Sequence, residues 1–176
     1  DYPVVQESQY LKDSPINPYV LMKGIFDQLV EGDTIVTGNG SACVCSFQVA
    51  TIKRGQRLFT NSGCASMGYG LPAALGVAVA RKGARVICLE GDGSIQMNLQ
   101  ELQTIVHNSL NIKIFWLNND GYHSIRQTQK NIFGTSLCGV SKDNGISFPS
   151  AEKIANAYDI PYVRIDNILC IQEKIH

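Results

Sequence analysis

Residues 84–122 read ARVICLEGDGSIQMNLQELQTIVHNSLNIKIFWLNNDGY. The first six, ARVICL, are a continuous apolar run of the kind shown by a strand buried on both faces. Glu90 to Gly93 turn the chain, and Ser94 is placed to cap the helix that follows. Leu99, Leu102, Ile105 and Val106 give that helix one apolar stripe, with Gln100, Glu101, Gln103 and the exposed His107 largely off it. Asn108 and Asn111 end it, and IKIFWL (112–117) is a second buried strand. Strands joined by a crossover helix run parallel, and the crossover is right-handed. Asp92 and Asn119 therefore emerge side by side at one sheet edge, where open α/β sheets bind their ligands.

Outward from this unit the alternation continues. Asn17-Pro18 is a helix start, a capping side chain followed by proline at the first helical position, and Val20, Leu21, Ile25, Leu29 and Val30 keep helical spacing to Gly32. DTIVT (33–37) is a short strand closed by Gly38-Asn39-Gly40. A helix over about 42–53, a strand over 57–60 and a small-residue helix over 71–81 follow. Beyond the central unit come a helix near 150–158 and a strand over 162–165. Such alternation predicts an α/β protein: three α/β/α layers around a mostly parallel central sheet. Residues 1–14 are polar and aperiodic and read as a linker from an upstream domain, leaving 15–176 as the domain proper. The helix-like stretch after Ile168 has no closing cap, so the domain reads as truncated at its C-terminus.

Composition narrows the function. With 44% hydrophobic and 17% charged residues in 176, the chain is globular, with enough length for one substantial core. Fifteen basic residues balance fifteen acidic ones, so nothing points to nucleic acid or an anionic membrane as partner. No apolar stretch reaches the roughly 18 residues that a bilayer-spanning helix needs. The six cysteines form no C-x-x-C pair and read as free thiols, buried for Cys45 and Cys88, in a reducing cytoplasm. The G-x-G-x-x-A match at 68–73 lacks a preceding strand, and there is no P-loop. Most of the 16 glycines lie between positions 24 and 93, the mark of tight loops around a ligand.

The residue types at the sheet edge suit a metal-bridged diphosphate. Asp92 offers a hard anionic oxygen, Asn119 an amide oxygen, and glycine at 121 leaves a backbone carbonyl free to approach. Magnesium takes about six oxygens in octahedral geometry, few of them from protein and the rest from phosphate and water. Gly91 and Gly93 let backbone come close to phosphate, and the amides at the helix start after Ser94 complement its charge.

GDGSIQMNLQELQTIVHNSLNIKIFWLNNDGYHSI (91–125) resembles the GDG…NN signature of thiamine-diphosphate enzymes, with 24 residues between Gly93 and Asn118. NNDGY is similar to the pyruvate decarboxylase form of that motif. SGCASMGYGLPAALGVAVA (62–80) is similar to the acetolactate synthase segment ending MGFGLPAA. The resemblance spans about residues 15–166 and implies a C-terminal, diphosphate-side domain binding thiamine diphosphate and Mg2+. It implies Asp92, Asn119 and Gly121 as metal ligands, with Gly91, Gly93, Ser94 and Tyr122 around the diphosphate. Met67 would prop the cofactor in its bent form, Ala65 would lend a carbonyl to the aminopyrimidine amine, and Asn39, Gly40 and Ser41 would meet the far side of the diphosphate. Relatives usually carry Gln-His after the second glycine, where this chain has Ser41-Ala42.

The family chemistry so implied is decarboxylation of a 2-oxo acid followed by carboligation. The activating glutamate belongs to a separate pyrimidine-binding domain, on the same polypeptide or a second subunit, in a homodimer or homotetramer. A separate subunit of a two-chain decarboxylase or oxidoreductase, and a non-catalytic domain keeping the fold, stand as alternatives. Met67 also reads as core filling. His123 reads either as an acid–base group facing substrate or as a solvated residue of a helix's first turn. Arg126 reads either as a carboxylate fork or as a surface salt link.

Overall fold

The computed structural model describes residues 3–11, 15–134 and 136–175. Of the linker expected over 1–14, residues 1, 2 and 12–14 lie outside the described residues, as does His176 at the expected ragged end. Glu7–Tyr10 form a 3-10 turn, and Val5 packs against the first core cluster.

A four-stranded parallel sheet forms the centre, in the order β2 (Arg57–Phe59), β1 (Thr34–Thr37), β3 (Val86–Gly91), β4 (Ile112–Leu117). Register places Gly91 beside Leu117, so β3 and β4 finish together, and Thr37 beside Leu89, so β1 ends two residues short of them at the same edge. From β1 the chain crosses through α2 (Gly40–Val49) to β2 on one side. From β3 it crosses through α5 (Glu101–His107) to β4 on the other. Right-handed crossovers in opposite directions must lay their helices on opposite faces.

They do. α1 (Pro18–Gln28) and α2 bury Met22, Ile25, Phe26, Ala42 and Cys45 against Ile35, Ile87 and Leu89. α3 (Gly70–Ala80) and α5 bury Leu71, Ala74, Leu102 and Ile105 against Val36, Val86 and Cys88 on the other face. Neighbours along a strand thus feed different cores, as the two-residue period of a strand requires. Each fully buried Ile or Leu contributes about 1.5–3 kcal/mol. The cap expected at Asn17 is present: its side chain accepts from the Tyr19 amide at 2.9 Å with Pro18 at the first position, and Ser150 also accepts from Lys153 before α7 (Ala151–Ala157).

Three expectations change. Ser94 does not cap the helix after β3; its Oγ accepts the Gly68 amide at 2.8 Å, and the helix begins at Asp92. That helix is not uniform: α4 (Asp92–Ile95) tightens into a 3-10 turn (Gln96–Asn98) before α5, while the flanking backbone stays right-handed helical. The tight turn lies where Met97 and Asn98 press on Gly68, whose Cβ would overlap both. Residues 162–165 join no ladder; β4 is the outer strand, and the Arg164 carbonyl accepts from Lys174 instead.

At the sheet's opposite end Arg85 forks onto Asp33, Nε to Oδ1 at 2.9 Å and Nη2 to Oδ2 at 2.5 Å, and Asp33 also accepts the Val30 amide. Breaking a fully buried pair costs about 3–5 kcal/mol. Asp33 is 3% exposed but Arg85 is 35% exposed and can turn to water. Asp33→Ala is therefore expected to lower unfolding free energy by about 2 kcal/mol, read from the urea midpoint, with the sheet-edge cleft described below unaffected.

Candidate cofactor and metal site

The sheet order reverses between β1 and β3, where β1 connects one way and β3 the other. The loops leaving these two strands diverge to opposite faces and leave a crevice, the usual ligand site of open α/β sheets. A cleft lies there, lined by Asn39, Gly40, Ser41 and Ala42 after β1, by Gly91, Asp92, Gly93 and Ser94 after β3, and by Asn119, Gly121 and Tyr122 after β4. Met67 closes one side and His123 and Ser124 the mouth. Every residue expected around the ligand, Ala65 excepted, lines this one cleft.

Asp92 is its organising group. It is 3% exposed. Its Oδ1 accepts the Gly93 amide at 2.9 Å, and its Oδ2 accepts the amides of Asn119 and Gly121, each at 3.1 Å. One carboxylate thus clamps the end of β4 to the end of β3. Burial raises its pKa, and the three amides, with Gly121 first, oppose that rise. The Asn119 Oδ1 is buried in the same cleft and has no hydrogen-bond partner. Such an orphaned acceptor is costly unless a donor or cation meets it. A carboxylate, an amide oxygen and a glycine backbone fit a hard cation that takes few protein ligands. Among the described residues there is no cluster of three or more His, Cys, Asp or Glu side chains, so a site built on such clusters is not the competing design.

Gly121 is required twice over. Its φ is +141°, and a Cβ there would overlap the Val140 carbonyl. That same carbonyl accepts the Tyr122 amide at 3.0 Å. Gly93 likewise lies under Tyr122 and Phe148, whose rings meet edge to face with centroids 5.3 Å apart. The loop behind Val140 is held by Asn144, whose Oδ1 accepts the amides of Val140 and Ser141, and by Gln129, which makes two bonds to the Cys138 backbone. Residues 138–148, which no motif marks, thus back the Gly93, Gly121 and Tyr122 side of the cleft.

On the other wall, Ala65 adopts φ +53°, and its carbonyl accepts from Asn39 Nδ2 at 3.2 Å. Asn98 Nδ2 holds the Gly68 carbonyl at 2.7 Å, opposite the Ser94 bond to the Gly68 amide. Met67 is therefore carried on a loop pinned from several directions, and it also borders a broad open hollow lined by residues 60–64, Tyr69, Pro72 and Asn98. Arg126 makes no salt link among the described residues: its Nη2 donates to the Asn119 carbonyl at 3.0 Å, and its buried Nε has no hydrogen-bond partner. His123 is exposed at the mouth, on the first turn of α6 (His123–Thr128). Ser41 is half-buried beside Ala42, so this wall carries smaller side chains than Gln-His would provide.

Glu90 and Gly91, expected to begin a turn, instead finish β3, because the strand stays paired with β4 as far as Gly91. Glu90 is fully buried just before Gly91, and burial raises its carboxyl above the ordinary range. The available signal was an acidic residue closing an otherwise apolar buried strand.

The crevice at the strand-order reversal, with a buried carboxylate at one strand end and an amide oxygen at another, has the place and the polar lining of a ligand site in an open α/β domain. Residues 38–176 match the family model described as thiamine pyrophosphate enzyme, C-terminal TPP binding domain. The chain is 34% identical over 146 residues to acetolactate synthase 2, chloroplastic, of Zea mays, covering 80% of this chain and 23% of that protein. It is 34% identical over 148 residues to the acetolactate synthase large subunit of Cyanidium caldarium (84% and 25%) and 31% identical over 134 residues to acetolactate synthase isozyme 1 large subunit of Escherichia coli strain K12 (76% and 24%). The chain belongs to the thiamine pyrophosphate enzyme family and is similar to its acetolactate synthases. It spans about a quarter of the length of these relatives. No helix among the described residues is long and apolar enough to cross a membrane.

Proposed function

We propose that this chain holds the diphosphate end of thiamine diphosphate through Mg2+, within an enzyme that decarboxylates a 2-oxo acid and joins the acyl fragment to a second carbonyl. The observation that carries this is the pairing in one cleft of the amide-clamped Asp92 carboxylate with the buried, unpartnered Asn119 Oδ1. Asp92, Asn119 and the Gly121 carbonyl would be the metal's protein ligands. Gly91, Gly93, Ser94 and Tyr122 would surround one side of the diphosphate, and Asn39, Gly40 and Ser41, at the positive N-terminal end of α2, the other.

When bound, thiamine diphosphate supplies the nucleophilic carbon that the chemistry of 2-oxo acids needs. The chain's own residues bind, orient and exclude water. Met67 props the cofactor from the side, and the carbonyl of Ala65 is offered at a conformation held by Asn39. The glutamate that activates the cofactor would come from a pyrimidine-binding domain outside these 176 residues, on the same polypeptide or on a second subunit. The identities to acetolactate synthases favour carboligation as the outcome. The six free cysteines suit a reducing compartment such as the cytoplasm.

The test uses the full-length protein. Carbon dioxide release from pyruvate is expected to require both thiamine diphosphate and Mg2+. A chelator is expected to abolish cofactor retention on gel filtration, and added Mg2+ to restore it. Cofactor affinity indifferent to the chelator would overturn the metal assignment; absence of any cofactor affinity would overturn the whole.

A further inference from the structure

Glu90 belongs to none of the groups above that would touch metal or cofactor, yet it sits directly beneath the cleft, fully buried at the end of β3. Both carboxyl oxygens lack a hydrogen-bond partner. The Ser94 hydroxyl and the amides of Gly70 and Gly91 face them without completing the bonds. An acidic group kept dry with so little polar return calls for a reason of shape.

The reason lies in two glycines. A Cβ at Gly38, in the turn after β1, would overlap the Glu90 carboxyl. So would a Cβ at Gly70, the first residue of α3. Neither glycine has the positive φ that would demand it on backbone grounds, and glycine weakens a helix at Gly70. Two loops far apart in sequence are thus cut back around one side chain. They lead into the segments that line the cleft from two sides: Gly38 precedes Asn39, Gly40 and Ser41, and Gly70 follows Met67 by three residues. Asn39 bonds across between the same walls, to Ala65.

We propose that Glu90 is a positioning residue: its carboxyl, wedged between Gly38 and Gly70, sets the separation between the wall that carries Asn39, Gly40 and Ser41 and the wall that carries Met67. It acts as a spacer, and neither as an acid nor as a base. The inference rests on the reading of these walls as the two sides of a thiamine diphosphate site.

The test compares Glu90→Gln, Glu90→Ala, Gly70→Ala and the double variant Glu90→Ala/Gly70→Ala in the full-length protein. Amide hydrogen exchange without cofactor is read first. Glu90→Ala is expected to speed exchange about tenfold in residues 38–41 and 67–70 together, leaving α1 and β4 unchanged, while Glu90→Gln, of equal size, stays near wild type. The Kd for thiamine diphosphate at fixed Mg2+ is expected to rise about tenfold in Glu90→Ala, and the methyl added in the double variant to recover part of that loss. Unchanged exchange in either loop, or acceleration spread evenly over the protein, would overturn the spacer role. If Glu90→Ala does not fold, the other single variants decide: Gly70→Ala must loosen residues 38–41 as well as its own loop, and Glu90→Gln must loosen neither; the reverse overturns it. If the loops loosen as expected while the wild-type protein shows no affinity for thiamine diphosphate, the spacer stands and the cofactor reading falls.

Discussion

Asp92→Ala is expected to weaken binding of magnesium and thiamine diphosphate by about a hundredfold or more, the largest functional loss available from one substitution in this chain. Two effects combine. The change removes the only carboxylate among the lining residues of the cleft. It also strips the acceptor from the amides of Gly93, Asn119 and Gly121, so the end of β4 is no longer tied to the end of β3. Each amide left without a partner costs about 1–3 kcal/mol, less where water can enter the space the side chain vacates. The protein should therefore also lose about 2–3 kcal/mol of stability. Asp92→Asn separates the effects, because the amide oxygen can still accept at the Oδ2 position while its NH2 opposes the Gly93 N–H. It should recover most of the stability and little of the metal affinity. Calorimetric titration with Mg2+ and cofactor, beside urea unfolding, reads both quantities. Wild-type cofactor affinity in Asp92→Ala would remove the site from this cleft.

Gly121→Ala is expected to cost about 3 kcal/mol of stability, more than the removal of most core methylenes. The φ of +141° is hostile to any side chain, and the added methyl would overlap the Val140 carbonyl. The backbone must shift, and the shift pulls the Gly121 amide from Asp92 and the Tyr122 amide from Val140. Cofactor affinity should fall with stability, because the same residue supplies an amide to Asp92 and, in the proposed site, a carbonyl to the metal. A variant with wild-type unfolding midpoint would show that residues 138–141 do not press on this loop. By contrast Gly63→Ala, with open space around its Cβ, should leave both measurements where they are.

The parallel sheet, its two faces and the pairing of Asp92 with Asn119 were legible in the sequence because each depends on local pattern. ARVICL and IKIFWL are buried strands by composition, and a right-handed crossover between them leaves no choice about which ends meet. The cofactor family was legible because GDG…NN places backbone and ligand types at two strand ends, where spacing carries the geometry, and because MGYGLPAA resembles a family segment in residue order. Element boundaries were less so: whether Ser94 caps a helix depends on Gly68, 26 residues earlier, claiming its hydroxyl.

The tertiary structure decided what depends on close approach between segments distant in sequence. A glycine's φ and the space around its missing Cβ are set by whatever packs there, so the demands at Gly38, Gly70 and Gly121 could not be read from their neighbours in the chain. Residues 162–165 have strand composition but no ladder, since pairing needs a partner edge and the one carbonyl bond observed there goes to Lys174. Arg126 carries a charge that composition assigns to the surface, yet its place behind the Asn119 carbonyl follows from the turn of α6. By itself the sequence determined which ends of which strands meet and the kind of ligand they suit. The contacts between loops determined how far apart the walls of that site stand, because a separation in space is a property of packed atoms and has no signature in residue order.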